Sequence, residues 1–144
     1  MKHILVVAHR TLVGEHLLTE VRTRMDAGSC HFHLVVPVRH PRDHAWSDGE
    51  VESLARDRLA EGLEAFRSAG AEVDGEIGDV DPVTAIEMAE RSARLAGRPF
   101  DEILLSTLPI GPSSWLGLDS VTRARDRVTV PVTHLVARDV PAAD

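Results

Sequence analysis

Two groups of polar residues follow apolar segments of this sequence, and together they could bind a small anion. The first is His9-Arg10-Thr11, directly after the run His3 to Ala8. The second consists of hydroxyl side chains in the last third of the chain, namely Ser106, Thr107, Ser113, Ser114 and Ser120. A guanidinium, hydroxyls and the amides of a helix N-terminus are the donors that phosphate-like groups bind. The competing interpretation is structural, because such residues also end strands, form turns and cap helices.

The histidine-rich loop at residues 39–48 suggests a different chemistry, a transition-metal site. His40 and His44 have the spacing of two ligands on one helix face, and Asp43 lies between them. Pro41 disfavours a helix at this point. No third ligand follows nearby in the sequence, so we expect no metal site.

Three further histidines, one cysteine and one tryptophan each allow two interpretations. His31 and His33 alternate on one face of a predicted strand, with His3 on a neighbouring strand, and they either pack partly buried or titrate near neutrality. Cys30 is the only thiol, which excludes a disulfide framework, and we expect it to be a small core residue. Trp115 either anchors its loop or stacks on a bound base, and anchoring is favoured.

Signatures of enzymatic chemistry do not occur in the chain. There is no nucleophile elbow, no phosphate-binding loop of the Walker type, no Ser-His-Asp order and no CxxC pair. His9 could serve as a base only if a third group oriented it, and the sequence offers no such group nearby. We expect a protein without catalytic activity.

Length and charge restrict the class of protein. The 144 residues carry 16 Lys and Arg against 23 Asp and Glu, a formal charge of −7, which fits one domain over 1–144. Residues 48–102 alone hold 6 basic and 15 acidic groups. Nucleic-acid binding is disfavoured because it depends on positive surface charge. The apolar run after Met1-Lys2-His3 is too short for a signal peptide or a membrane span, so we expect a cytoplasmic protein.

Short apolar segments alternate with helical patterns along the whole chain. Apolar residues recur at helical spacing in four places, for example at Leu17, Leu18 and Val21, and the last helix is expected to begin near Asp119 or Ser120. Strict alternation of strands and helices predicts an α/β fold, a single doubly wound parallel sheet with helices on both faces. The five strands are expected at 3–8, 31–38, 72–77, 101–106 and 131–137.

Four segments of the sequence, taken in order and spacing, resemble the universal stress protein family over nearly the whole chain. They are Ile4-Leu5-Val6-Val7, Gly78-Asp79-Val80-Asp81-Pro82, Asp101-Glu102-Ile103-Leu104-Leu105 and Val130-Pro131-Val132. The resemblance implies a five-stranded sheet of order 3-2-1-4-5. It also implies a homodimer, because members of this family commonly pair the exposed edge of the last strand, here residues 131–137, across a two-fold axis.

The ATP-binding motif of that family is altered in this chain. Its pattern of glycines followed by Ser or Thr, Gly-x2-Gly-x9-Gly-Ser/Thr, falls on Ser106, Pro109, Asp119 and Ser120, so the spacing survives and every glycine is replaced. Pro109 lacks an amide donor, and Asp119 places a carboxylate where phosphate would bind. The acidic residue that contacts nucleotide in ATP-binding members falls on His9. We therefore expect no conventional ATP binding.

The resemblance places a crevice over the first and fourth strands, and three interpretations of it stay open. The crevice could hold a small anionic ligand in a non-enzymatic binding or regulatory module. It could bind ATP or AMP through donors other than glycine amides, or be empty in an interaction domain. The residues expected to line it are Ala8, His9, Arg10, Thr11, Val36, Ser106, Thr107, Pro109, Gly111, Ser113, Ser114, Asp119 and Ser120.

Overall fold

Strands and helices alternate along the part of the chain that the structure describes. The computed structural model describes residues 1–8, 14–38, 45, 47–107 and 118–136. The elements in chain order are β1 (Lys2–Val7), α1 (Glu15–Ala27), β2 (Cys30–Pro37), α2 (Asp48–Ser68), β3 (Glu72–Gly78), α3 (Pro82–Leu95), β4 (Glu102–Thr107), α4 (Leu118–Arg127) and β5 (Val132–Val136).

The five strands form one parallel sheet in the order β3-β2-β1-β4-β5. The expected fold class and strand order are therefore confirmed. In this order β1 is central, and its last residue, Val7, pairs with Val35 of β2 on one side and with Leu105 of β4 on the other. All five strands run in the same direction, and the order in which successive strands are added to the sheet reverses at β1.

Two apolar layers cover the sheet, one on each face. The first layer packs α1 and α2 against Ile4, Val6 and their neighbours, and it includes Cys30, which is buried as expected. The second layer packs α3 and α4 against Leu5 and Val7. Because successive side chains of a strand point to opposite faces, a run of four apolar residues in β1 requires both layers.

The helices present the faces that their sequence periodicity predicts. Leu17 and Val21 of α1 are fully buried, and Val121 and Ala124 of α4 are buried as well. Ser47 begins α2 with a capping box, in which its hydroxyl accepts from the amide of Glu50 and the Glu50 carboxylate accepts from the Ser47 amide. Helix α4 begins at Leu118, one residue before the expected start.

Strand bounds differ from the expected ones by about one residue. Strand β1 runs from Lys2 to Val7, and β4 begins at Glu102. Strand β5 begins at Val132 rather than at Pro131, since proline has no amide to donate to the ladder. The carbonyl of Pro131 still accepts from the amide of Ile103 at 2.9 Å.

A nearly buried ion pair ties α1 to the sheet. Arg24 donates from Nε and Nη2 to both carboxylate oxygens of Glu102, at 2.8 and 2.7 Å, and its Nη1 reaches Glu20 at 2.7 Å. The hydroxyl of Thr133 donates to Glu102 at 2.8 Å. The hydrogen bonds from Arg24 hold the pKa of the Glu102 carboxyl below its usual range, although burial opposes this. One carboxylate thus joins α1, β4 and β5.

The glycine in the middle of β3 is required by close packing. A Cβ at Gly75 would lie 2.7 Å from Leu59 Cδ1 and 2.8 Å from the Leu34 carbonyl oxygen. We expect Gly75→Ala to lower the free energy of unfolding by about 1–3 kcal/mol, because the backbone of β2 cannot move aside easily. Urea denaturation measures the change.

The matched control is Gly49→Ala in the first turn of α2, where a Cβ would meet nothing within 4 Å. This variant should be as stable as the wild type or more stable, since alanine favours a helix over glycine by up to about 1 kcal/mol. Equal stability of the two variants would contradict the packing argument.

Candidate functional site

The carboxyl ends of β1 and β4 meet at the point where the strand order reverses. The last matched pair of these strands is Val7 with Leu105, so Ala8 and Ser106 follow it side by side. Ala8 is fully buried, and Ser106 and Thr107 are nearly so. In open α/β sheets, ligands bind in the crevice that forms at such a reversal. Three of the expected crevice residues are therefore brought together here.

The Ser106 hydroxyl is held by a histidine from α1. His16 Nε2 lies 2.9 Å from Ser106 Oγ, and His16 is the second residue of the helix. Helix α1 begins just beyond the carboxyl end of β1, which is why a side chain of its first turn reaches the end of β4. Sequence reasoning missed His16, although its place in the first turn after the first strand was a usable signal.

The Thr107 hydroxyl is held by a second histidine, from β5. His134 Nε2 lies 2.7 Å from Thr107 Oγ1. Ser106 and Thr107 are consecutive strand residues, so their side chains point to opposite faces of the sheet. The Ser106 hydroxyl therefore lies on the face covered by α1, and the Thr107 hydroxyl contacts His134 on the neighbouring strand.

The environment of His134 favours its neutral form. Burial lowers the pKa of its imidazole below the ordinary value, and the positive charge of Arg125 lowers it further. A neutral imidazole has one N–H donor and one acceptor nitrogen. The Thr107–His134 pair therefore carries no charge near neutral pH and acts through hydrogen bonds alone.

The two hydroxyl–imidazole pairs give the carboxyl end of the sheet hydrogen-bonding groups with defined directions. Each hydroxyl has both donor and acceptor capacity, and the histidine bonded to it fixes its direction. Ser106 and His16 are also the residue types that serve as nucleophile and general base in a nucleophilic triad. Such chemistry further requires a group that orients the base and donors for an oxyanion.

The other expected site residues divide into three sets. Val36 is the penultimate residue of β2 and is fully buried in the layer beneath α1 and α2. Asp119 and Ser120 lie in the first turn of α4. The remaining residues lie outside the described part of the chain, namely His9, Arg10, Thr11, Pro109, Gly111, Ser113 and Ser114.

Neither a metal-binding cluster nor a membrane-spanning helix occurs in the part of the chain that the structure describes. Among residues 1–8, 14–38, 45, 47–107 and 118–136, no group of three or more His, Cys, Asp or Glu side chains is arranged to hold a metal ion. In the same ranges, no helix has the length and apolar character needed to cross a bilayer. His40, Asp43, His44 and Trp115 fall outside these ranges.

Solved structures share this architecture over almost their whole length. One is a universal stress protein from Burkholderia pseudomallei, with a TM-score of 0.57 and 17% identity over 93% of this chain and 95% of that one. Another is a universal stress protein from Archaeoglobus fulgidus, with a TM-score of 0.58 and 14% identity over 96% and 98%. The fold is that of the universal stress proteins.

Two further structures with the universal stress protein fold hold nucleotides. An Arabidopsis thaliana protein with AMP bound has a TM-score of 0.60 and 10% identity over 96% of this chain and 94% of that one. A universal stress protein in complex with cAMP has a TM-score of 0.57 and 14% identity over 95% and 98%. No family model and no curated protein matches the sequence. At 10–17% sequence identity, the similarity to these four structures shows a shared fold.

The lowered pKa of His134 predicts how stability responds to acid. As the pH falls below the ordinary histidine value, the unfolded chain takes up a proton more readily than the folded one, so this residue makes folding less favourable. We expect the free energy of unfolding to fall less between pH 7 and pH 5 in His134→Gln than in the wild type. Urea denaturation at each pH measures the slopes.

Arg125→Gln provides the control, since it removes the neighbouring charge and leaves the imidazole in place. NMR titration of the His134 ring should then move toward the behaviour of free histidine. Identical slopes in the wild type and His134→Gln would contradict the expectation.

Proposed function

We propose that this protein is a non-enzymatic binding module of the universal stress protein type, whose crevice at the carboxyl ends of β1 and β4 takes a small anionic ligand. We further propose that it does not bind ATP through the glycine-rich arrangement of the ATP-binding members. The observation that carries the proposal is the pair of buried hydroxyls, Ser106 and Thr107, each hydrogen-bonded to a histidine from a different element.

The reason to expect an anion is the set of donors at the carboxyl end of β4, which lie on both faces of the sheet. Helix α1 begins at the carboxyl end of β1, behind Gly14, so the positive end of its dipole lies next to Ser106. The hydroxyls of Ser106 and Thr107 add neutral donors whose directions are set by His16 and His134. Neutral donors and helix dipoles suit a small phosphate or carboxylate group.

The reason to expect no conventional ATP binding is the loss of glycine. A glycine has no side chain and lets backbone amides approach phosphate closely. Ser106 stands at the first of these positions, and its hydroxyl already bonds to His16. In the sequence, Pro109 removes a second amide and Asp119 adds a negative charge. These changes together weaken the site for a triphosphate.

A nucleoside monophosphate is the second candidate ligand. Two proteins of the same fold hold AMP and cAMP. In this chain, phosphate contacts would then come from donors such as Arg10, Ser113, Ser114 and Ser120. An interaction domain with an empty crevice is the third candidate, and it would respond to no small molecule.

The proposal includes a homodimer through residues 131–137. Strand β5 lies at one edge of the sheet, and all five of its residues are half-buried. An edge strand with unpaired backbone groups is stabilised when it pairs with the same strand of a second copy. Two of its side chains, Thr133 and His134, already bond to β4, so the strand is held in place for pairing.

A thermal-shift titration with inorganic phosphate, AMP, cAMP and ATP tests the ligand class. We expect phosphate or AMP to raise the melting temperature with concentration, and ATP to raise it no further than phosphate does. A ligand at 100 times its dissociation constant stabilises the folded state by about 2.7 kcal/mol. Ser106→Ala together with Thr107→Val should abolish the response.

Ser53→Ala is the matched control, because it removes an exposed hydroxyl of α2, a helix that packs against β2 and β3. It should respond as the wild type does. No shift with any of the four compounds would overturn the anion site and favour the interaction domain. A shift that ATP alone produces would make the protein a conventional ATP binder.

Restoring the glycines tests why ATP binding is weak. We expect the double variant Pro109→Gly and Asp119→Gly to bind ATP more tightly than the wild type in calorimetry, since an amide donor is regained and a negative charge is removed. Asp119→Asn alone separates charge from backbone freedom. Unchanged affinity in the double variant would show that the block lies elsewhere, for example at His9.

A further inference from the structure

A second polar cluster lies at the opposite end of the sheet from Ser106. A cavity of about 220 Å³ opens between the face of β1, β2 and β3 and the end of α3, and its lining includes His3, His31, His33 and Asp74. His3 lies at the amino end of β1, about 16 Å along the strand from Ala8. The cluster is therefore separate from the proposed anion site.

Strand register places acidic residues directly beside histidines on this face. In the parallel pair β2 and β3, His31 matches Glu72 and His33 matches Asp74. Glu76 follows on the same face, two residues further along β3. Three carboxylates that alternate along one edge strand repel one another unless positive charge lies between them.

Each of the two histidines lies between two carboxylates. His31 Nε2 is 2.9 Å from Asp74 Oδ1, and its Nδ1 is 3.4 Å from Glu72 Oε1. His33 Nδ1 is 2.8 Å from the same Asp74 oxygen, and its Nε2 is 3.4 Å from Glu76 Oε2. All four ring nitrogens therefore face carboxylate oxygens, which only accept hydrogen bonds when ionised.

The number of ring protons decides whether this geometry is favourable. A neutral imidazole has one N–H, so its other nitrogen would present a lone pair to a negatively charged oxygen. An imidazolium has two N–H groups and can donate on both sides. Two imidazolium rings therefore match the four nitrogen–carboxylate contacts, and neutral rings leave two of them repulsive.

The other groups around the cluster supply less positive charge than the three carboxylates would need to be neutralised. His3 packs its ring 6.0 Å from that of His31, and Phe100 stacks on His33 at 6.0 Å. Arg98 contributes one positive charge to the lining of the cavity, and Asp101 accepts from the His3 amide nearby. The side chains of His31 and His33 are less than a fifth exposed, whereas those of Glu72, Asp74 and Glu76 are 58–63% exposed, so solvent reaches these contacts from the side of the carboxylates.

We propose that His31 and His33 are both imidazolium in the folded protein at neutral pH. With Glu72, Asp74 and Glu76 they form a proton-dependent clamp that fastens the edge strand β3 to β2. Strand β3 depends on such contacts because Val73 is the one buried residue among its seven, and two of the seven are glycines. A strand with few apolar contacts opens at low free-energy cost.

The carboxylate at the centre of the clamp behaves consistently with this assignment. Partial burial would raise the pKa of the Asp74 carboxyl, yet the hydrogen bonds from His33 and His31, with their charges, bring the pKa below its ordinary value. Asp74 therefore stays ionised as the pH falls, and the clamp persists on the acid side. It is lost as the pH rises and the rings give up their second protons.

Nitrogen NMR of the imidazole rings tests the protonation state in the wild-type protein. At pH 7, where a free imidazole is mostly neutral, both His31 and His33 should show the pattern of two protonated nitrogens. Asp74→Asn, which removes the shared negative charge, should convert them to the neutral pattern at that pH. Neutral tautomers in the wild type at pH 7 would overturn the proposal, whatever the variants do.

Hydrogen exchange of the β3 amides tests the mechanical consequence. After correction for the intrinsic rate, protection of β3 relative to β1 should fall by about tenfold or more between pH 6 and pH 9, the loss expected for charge-assisted hydrogen bonds. The double variant His31→Gln and His33→Gln should have weak protection that does not change with pH.

His3→Gln is the matched control for this measurement, because His3 lines the same cavity and packs against His31. It should keep the pH-dependent protection of the wild type. If β3 of the wild type is equally protected at both pH values, the clamp does not exist.

Discussion

The burial of β1 on both faces is the constraint on which the rest of this structure depends. Ile4 to Val7 are completely inaccessible to solvent. A strand that is apolar on both faces is stable only at the centre of a sheet with helices above and below it. The central position gives β1 a neighbour on each side, β2 and β4, and the order of the strands reverses at β1. In open parallel sheets, ligands bind outside the carboxyl ends of the strands at such a reversal, which is why we place the candidate site there.

Histidines occupy both ends of this sheet, and the charges around them differ. At the carboxyl end, His134 bonds to a neutral hydroxyl and lies near Arg125, so its neutral form is favoured. At the amino end, His31 and His33 each lie between two carboxylates, which favours the charged form that we infer. The same residue type thus bonds to a neutral hydroxyl in one place and, as we propose, fastens a strand in the other.

The proposed function combines the fold of the universal stress proteins with binding-site residues that differ from those of the ATP-binding members. Proteins that hold AMP or cAMP have the same fold, which shows that the scaffold accommodates nucleotides elsewhere. In this chain a serine bonded to His16 stands where the phosphate-binding pattern begins with glycine. A binding site depends on a few side chains at strand ends, whereas the fold depends on the buried interior, so the two can diverge separately.

The sequence alone determined the class of fold, the positions of the elements and their buried faces. Periodicity carries this information, because apolar residues recur at spacings that differ between strands and helices. It left strand bounds uncertain by about one residue, as at Pro131, since a bound depends on which amides find partners. Ser106 and Thr107 were recognised as candidates because they lie at the end of a strand whose position was predictable.

Only the tertiary structure decided which side chains meet. His16 and Ser106 are 90 residues apart in sequence, and His31 and Asp74 are 43 apart. The alternating histidines of β2 and the alternating acids of β3 were both visible in the sequence. Their contact follows from the register of two parallel strands, which a linear pattern does not specify. Packing of the whole sheet sets that register, and with it the chemistry at each end.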